Sequence, residues 1–157
     1  MRDEPPLHIV LYRPEIPQNT GNVGRLCVAL GLRLHVVLPV PFQMDEKAVR
    51  RAGLDYWKHV DLMEHADEAA FWAWAAGRRV LAYSSHAEAP FTSARHVEGD
   101  VLLFGCESVG LPKEIVARLP SFRIPMTGPV RSINLASAVT LGAYEGMRQV
   151  RPGLFGL

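Results

Sequence analysis

Three loop-to-helix turns gather most of the polar side chains of this 157-residue chain that are suited to chemistry. The first, Pro14 to Arg25 (PEIPQNTGNVGR), offers Asn19 and Arg25. Their spacing is near two helical turns, so both are expected to face one crevice if Asn19 stands at the cap. The second, Phe104 to Pro112 (FGCESVGLP), sets Glu107 between Gly105 and Gly110, where the backbone can come close to a ligand. The third, Arg123 to Ser137 (RIPMTGPVRSINLAS), ends with Ser132 and Asn134 at the mouth of a helix, whose free N–H groups suit an anion or a polar ligand edge.

An amide supplies a donor and an acceptor together, a guanidinium grips phosphate in two places, and a carboxylate orders donors around it. The chain has three asparagines, Asn19, Asn22 and Asn134, and all lie in these turns. Ordinary helix capping by Asn and turn formation by Gly are the competing explanations. The segment around Cys106, Glu107, Ser108 and Gly110 is one residue short of a G-x-S-x-G nucleophile elbow, which makes a serine hydrolase acting through Ser108 a rival reading. Neither G-x-G-x-x-G nor G-K-[ST] occurs, so neither a dinucleotide fingerprint nor a phosphate loop is supported. The six histidines lack metal-ligand spacing, and no metal is expected.

Apolar runs bounded by turn residues alternate with helical spacing, the pattern of an α/β domain with a mostly parallel sheet flanked by helices. Strands are expected at 8–12, 34–38, 80–84, 101–105 and 122–125, with a weaker one at 58–62. Helices are expected at 20–30, 45–52, 65–76, 112–119 and 134–149. Gly31 should stop the first helix, Asp45 cap the second, and Pro112 occupy the first position of the fourth. Leu135, Val139, Ala143 and Met147 make an apolar stripe on the last. Loops are expected at 41–44 and 127–130, and the tail from Arg151 should lack regular structure. No linker, repeat or charge run divides the chain, so 1–157 reads as one domain.

Seventeen basic residues against 16 acidic give a net charge of +1, which denies the whole molecule a field that would steer it to nucleic acid. RNA binding therefore requires a local patch, for which Lys47, Arg50, Arg51, Arg131 and Arg148 are candidates. Cys27 and Cys106 lack C-x-x-C spacing and read as reduced thiols. No apolar stretch approaches a membrane span, and a cytoplasmic location is expected.

Taken in order, the three turns resemble the three motifs of the SPOUT methyltransferase superfamily, in particular its tRNA and rRNA ribose 2′-O-methyltransferase branch. The likeness is greatest to small members that methylate the wobble ribose of tRNA. It runs from Ile9 (IVLYRPEIPQNTGN) through Arg51 (RAGLDY) to Ser132 (SINLA). The resemblance implies Asn19, Arg25, Glu107, Ser132 and Asn134 as catalytic residues. It also implies S-adenosylmethionine as methyl donor and S-adenosylhomocysteine as product, held around Tyr83, Gly105, Glu107, Ile124, Met126, Ser132, Ile133 and Leu135. A sheet carrying a C-terminal trefoil knot, a homodimer and tRNA as partner are implied as well, with neither DNA nor membrane. A non-catalytic RNA-binding or assembly factor on the same scaffold is the alternative, and the presence of all five polar motif residues favours turnover.

Overall fold

A computed structural model describes residues 3–45, 47, 49 and 54–157. Seven strands form one parallel sheet: β1 (Leu7–Tyr12), β2 (Arg33–Val37), β3 (Asp61–His65), β4 (Val80–Tyr83), β5 (Ala89–Pro90), β6 (Asp100–Phe104) and β7 (Ser121–Arg123), in the order β3-β2-β1-β6-β4-β7-β5. Among the described residues the α-helices are α1 (Pro17–Leu30), α2 (Glu68–Ala75), α3 (Lys113–Arg118) and α4 (Leu135–Val150). The expected parallel α/β architecture is the one observed.

Strands β1, β2 and β6 are buried along their whole length, as expected of central strands covered on both faces. On one face Ile9, Leu11, Leu34, Val36, Leu102 and Phe104 meet Val23 and Cys27 of α1 and the Leu135, Val139, Ala143, Met147 stripe of α4. On the other, Val10, Val37, Val101 and Leu103 meet Phe71 and Ala75 of α2 and Ile115 of α3. Each such apolar side chain, fully buried, stabilises by roughly 1.5–3 kcal/mol relative to exposure.

Several boundaries differ from expectation for local reasons. A 3₁₀ turn over Leu54–His59 takes up the residues expected to open the weak strand, so β3 lies at 61–65. Asp67 then caps α2 by accepting from Ala70 N–H at 2.8 Å, which moves that helix start from 65 to 68. Pro112 stands at the N-cap, one residue before α3. The two-residue β5 is too short to leave a periodic signal. The tail forms a 3₁₀ turn over Pro152–Phe155, and Phe155 meets the Tyr144 ring edge-on at 6.3 Å. The expected helix at 45–52 falls largely on residues outside those described, as do Arg50, Arg51 and the first half of the RAGLDY motif.

The order β4-β7-β5 has a topological consequence. Residues 84–88 join β4 directly to β5, yet β7 lies between them. Parallel crossovers ordinarily need a dozen or more residues because the chain must return to the starting end of the sheet. Here no return is needed: Tyr83 and Ala89 both pair with Phe122, so β5 begins level with the end of β4. The link has only to step sideways across β7, about 9.6 Å at strand spacing, which five residues span.

Three histidines form a buried file across β1, β2 and β3. His8 Nδ1 lies 2.9 Å from His35 Nε2, and His35 Nδ1 lies 3.0 Å from His65 Nε2. Glu4, 3.1 Å from His8 Nε2, can only accept, so each ring donates through Nε2 and accepts at Nδ1. Trp74 covers all three rings, and Arg78 pairs with Glu4. Burial holds His8 down to about 4, against the partial opposition of Glu4 and with Arg78 and Arg33 adding to the effect. Burial likewise lowers His35 and His65.

An imidazole kept neutral in the fold but free to charge when unfolded gives its full stabilisation above about pH 6.5, and loses it as pH falls toward 4. His8 alone accounts for about 3 kcal/mol across that window. Denaturant unfolding at pH 7.5 and 4.5 is therefore expected to show a marked loss of stability in acid, with a flatter dependence in His8→Gln. An unchanged midpoint between those pH values contradicts the neutral file.

Candidate active site

The three turns meet at the carboxyl end of the sheet, where open α/β sheets place their ligands. The fold explains how residues so far apart converge: α1 follows β1, the Glu107 turn follows β6, and α4 follows β7 through the loop 124–134. A cavity of about 810 Å³ lies between them. Its lining includes Asn19, Tyr83, Gly105, Glu107, Ile124, Met126, Ser132, Ile133, Asn134 and Leu135, together with Ser84, Ser85 and His86 of the link over β7. Every residue implied as catalytic or cofactor-holding, except Arg25, therefore borders one space, and of the basic-patch candidates only Arg131 joins them.

Glu107 organises the polar rim. One carboxylate oxygen accepts from Glu15 N–H at 2.8 Å, and the other accepts from Ile16 N–H at 2.8 Å and from the Asn19 amide at 3.2 Å. Ile16 is the N-cap of α1 and its side chain has no oxygen, so Glu107 serves as a cap supplied by a distant turn. Glu15 returns the contact by accepting from Ser108 N–H at 2.8 Å, and hydrogen bonds from the Ser108 hydroxyl and then its N–H hold the Glu15 carboxyl below the usual range. The two turns thus clasp each other through exchanged carboxylate–amide bonds.

The network continues to the third turn. Asn19 Oδ1 accepts from Asn134 Nδ2 at 3.0 Å, and Asn134 Oδ1 accepts from Ser137 N–H at 3.2 Å. Asn134 is both the cap of α4 and a bridge to α1, so capping and a site role coincide in one side chain. Both oxygens of Glu107 are occupied by three donors, which makes it an organiser of the rim rather than a free base.

Arg25 does not share the crevice. Helix α1 starts at Pro17, so Asn19 is its third residue rather than its cap, and six residues on the turn of the helix leaves Arg25 about 120° away around the axis. Asn19 is buried, whereas Arg25 is exposed with its guanidinium 4.6 Å above the Tyr56 ring.

The apolar wall is equally specific. Tyr83 stacks on Phe104 at 4.8 Å between centroids, and its hydroxyl lies 2.8 Å from His96 Nε2. Asp100, 3.3 Å from His96 Nδ1, favours the proton on that nitrogen and leaves Nε2 to accept from Tyr83. Burial pushes the Tyr83 phenol up, so it stays neutral. This pins the hydroxyl to His96 and leaves the ring as cavity wall.

The Glu107 turn bears on Gly105 and on Ser108. Gly105 does leave room for close approach, but its neighbour is the chain itself: a Cβ there would lie 2.2 Å from Gly110 C and Leu111 N. The hydrolase reading fails on Ser108, whose hydroxyl lies 3.9 Å from Cys106 Sγ and bonds to the Glu15 carboxylate, with no imidazole hydrogen-bonded to it among the described residues. Ser84, Ser85 and His86 were missed as lining residues, since only the position of β5 brings their link over the cavity.

The chain matches the family model described as the SpoU rRNA Methylase family over residues 6–144. A tRNA (cytidine(34)-2'-O)-methyltransferase of Aeromonas hydrophila is 46% identical over 147 residues, covering 92% of this chain and 94% of that protein. A solved structure described as "Structural insights into the 2-OH methylation of C/U34 on tRNA" superposes with a TM-score of 0.91 at 52% identity, covering 99% of this chain and 100% of the other. The SpoU methyltransferase AviRb of Streptomyces viridochromogenes, solved in complex with the cofactor AdoMet, superposes at 0.80 with 26% identity, over 95% of this chain and 59% of AviRb.

Proposed function

The chain belongs to the SpoU rRNA Methylase family, and from that premise we propose that it is an S-adenosylmethionine-dependent methyltransferase of the RNA ribose 2′-hydroxyl, acting on C or U at the wobble position 34 of tRNA. The observation that carries this reading is the convergence of Asn19, Glu107 and Asn134 into one hydrogen-bonded rim around a single cavity. The relative of Aeromonas hydrophila, matched over nearly its whole length, supports the substrate.

The cavity suits the cofactor in size and in chemistry. Its volume lies within the roughly 300–1,000 Å³ of small-molecule sites, and it joins an apolar wall to a polar rim, as a nucleoside bearing an amino-acid tail requires. Tyr83, Gly105, Ile124, Met126, Ile133 and Leu135 would hold the cofactor, with Glu107 and Ser132 at the rim. When bound, it supplies a methyl group on a cationic sulfur to an oxygen nucleophile.

The chain's own groups then act by placement. The apolar wall excludes water, which favours the meeting of a cationic donor and an anionic oxygen. The Asn19–Asn134 pair fixes the rim, and orientation of this kind contributes up to roughly 7–11 kcal/mol. Arg25, whose guanidinium offers donors and no acceptor, serves as a phosphate clamp and stabiliser of the developing alkoxide rather than as a base. With Glu107 and Glu15 both engaged by donors, an RNA phosphate oxygen or another neighbouring side chain takes the ribose proton.

The rest of the reading is a single domain over 1–157, threaded as the knot of the resemblance implies, working as a cytoplasmic homodimer. Support comes from β7 lying inside the β4–β5 link, and from Arg25, exposed outside its own cavity and free to serve another. Among the described residues no helix is long and apolar enough to cross a membrane.

Incubation with bulk tRNA and labelled methyl donor is expected to place label on the ribose at position 34, and calorimetry to show uptake of S-adenosylhomocysteine. Well-folded protein that takes up neither donor nor product overturns the proposal. Donor uptake with no label in any RNA points instead to the non-catalytic factor.

A further inference from the structure

We infer that Tyr56 is a positioning residue for methyl transfer, acting through Arg25; the inference rests on the function proposed above. The 3₁₀ turn over Leu54–His59 docks tightly on α1 beside Arg25. A Cβ at Gly24 would lie 2.7 Å from Trp57 Cζ3 and 3.1 Å from Trp57 Cε3, so the missing side chain admits the indole edge. That docking sets Tyr56, the preceding residue, under the guanidinium at 4.6 Å, with Arg25 Nη2 3.5 Å from the phenol oxygen.

Stacking of a cation on a ring is not by itself unusual. Such pairs occur roughly once per 70–80 residues, and Arg13, Arg78 and Arg118 also lie over aromatic rings. Arg78 additionally pairs with Glu4 beside the buried histidine file, which accounts for it as a structural contact. The Arg25 pair is different because both partners face solvent, Tyr56 being 37% exposed, and because none of the ion pairs among the described residues includes Arg25.

The chemistry of that arrangement fits an incoming RNA strand. The ring occupies one face of the guanidinium and the phenol oxygen faces one of its five N–H donors, leaving the rest in a fixed plane for bidentate contact with a phosphate. An unsupported arginine on a solvent-exposed helix would have to surrender side-chain freedom, up to about 2 kcal/mol, when it grips the substrate. Tyr56 holds part of that order in advance.

The test is a double-substitution cycle on the second-order rate constant for single-turnover methylation of tRNA, with calorimetric binding of S-adenosylhomocysteine measured alongside. Tyr56→Ala is expected to slow methylation about three- to tenfold while leaving cofactor affinity in place, and Tyr56→Phe, which keeps the ring, to recover most of the loss. In the Arg25→Ala background, Tyr56→Ala is expected to add nothing, because the two residues act as one unit.

Wild-type rates in Tyr56→Ala overturn the inference, as does a full additional loss in the double variant, or a Tyr56→Phe as slow as Tyr56→Ala. If cofactor affinity falls together with the rate, Tyr56 acts on the fold rather than through Arg25, which also overturns it. An unsubstituted protein that methylates no tRNA brings down the proposed function itself, an outcome distinct from any of these.

Discussion

Glu107→Ala is expected to lower single-turnover methylation at least about a hundredfold while costing the fold only about 1–2 kcal/mol. The two effects separate because of where the donors lie. Glu15 N–H and Ile16 N–H are near solvent and regain water when the carboxylate is removed, so the stability cost is that of a lost helix cap. Asn19 has no such recourse: it is buried, and with Glu107 gone only Asn134 still orients its amide. A displacement of about 1 Å in a reacting site costs on the order of 10² in rate.

Glu107→Gln distinguishes a clasp from a base. The amide keeps one oxygen for the donors and should retain part of the activity that Ala loses, whereas a general base would be lost equally in both. Thermal melting with a single-turnover assay reads both quantities. Full-speed methylation by Glu107→Ala contradicts the role of the clasp.

The second large effect is on folding. Gly105→Ala is expected to destabilise by at least about 4 kcal/mol, because the added carbon would overlap backbone atoms of Gly110 and Leu111 at 2.2 Å, and no side-chain rotation relieves a backbone clash. The turn cannot open without breaking its closing bond, Gly110 N–H to Cys106 O at 3.0 Å. Gly128→Ala provides the control, since a Cβ there meets nothing within 4 Å. Denaturant unfolding of the two variants checks the contrast, and a Gly105→Ala protein as stable as Gly128→Ala refutes it.

The sequence made the architecture legible wherever apolar runs were long. Strands β1, β2 and β6, buried end to end, leave a signal that nothing competes with, and the Leu135 to Met147 stripe announces α4. Legibility failed where a local bond outranked the pattern: the 3₁₀ turn that displaced β3, the Asp67 cap that shortened α2, and β5, with its two residues. The candidate rim residues could be picked out one by one, but not their bonding. Asn19 and Asn134 are brought together by the return of α4 onto α1, and no local spacing encodes a hydrogen bond across that distance. Arg25 was grouped with Asn19 because their separation is close to two turns, and the shortfall of about one residue is enough to send them to different faces.

The sideways link from Tyr83 to Ala89 also orders events in time. Ile124, Met126, Arg131 to Leu135 and Ala138 are synthesised after every other residue that borders the cavity, and they follow the strand that lies inside that link. A nascent chain still short of residue 124 on the ribosome holds the link and the Tyr83 and Phe104 rings but lacks the rest of the wall and the α4 cap. The pocket is therefore completed only after Ala138 has been added, and a polypeptide that stops before residue 124 lacks the groups that close it.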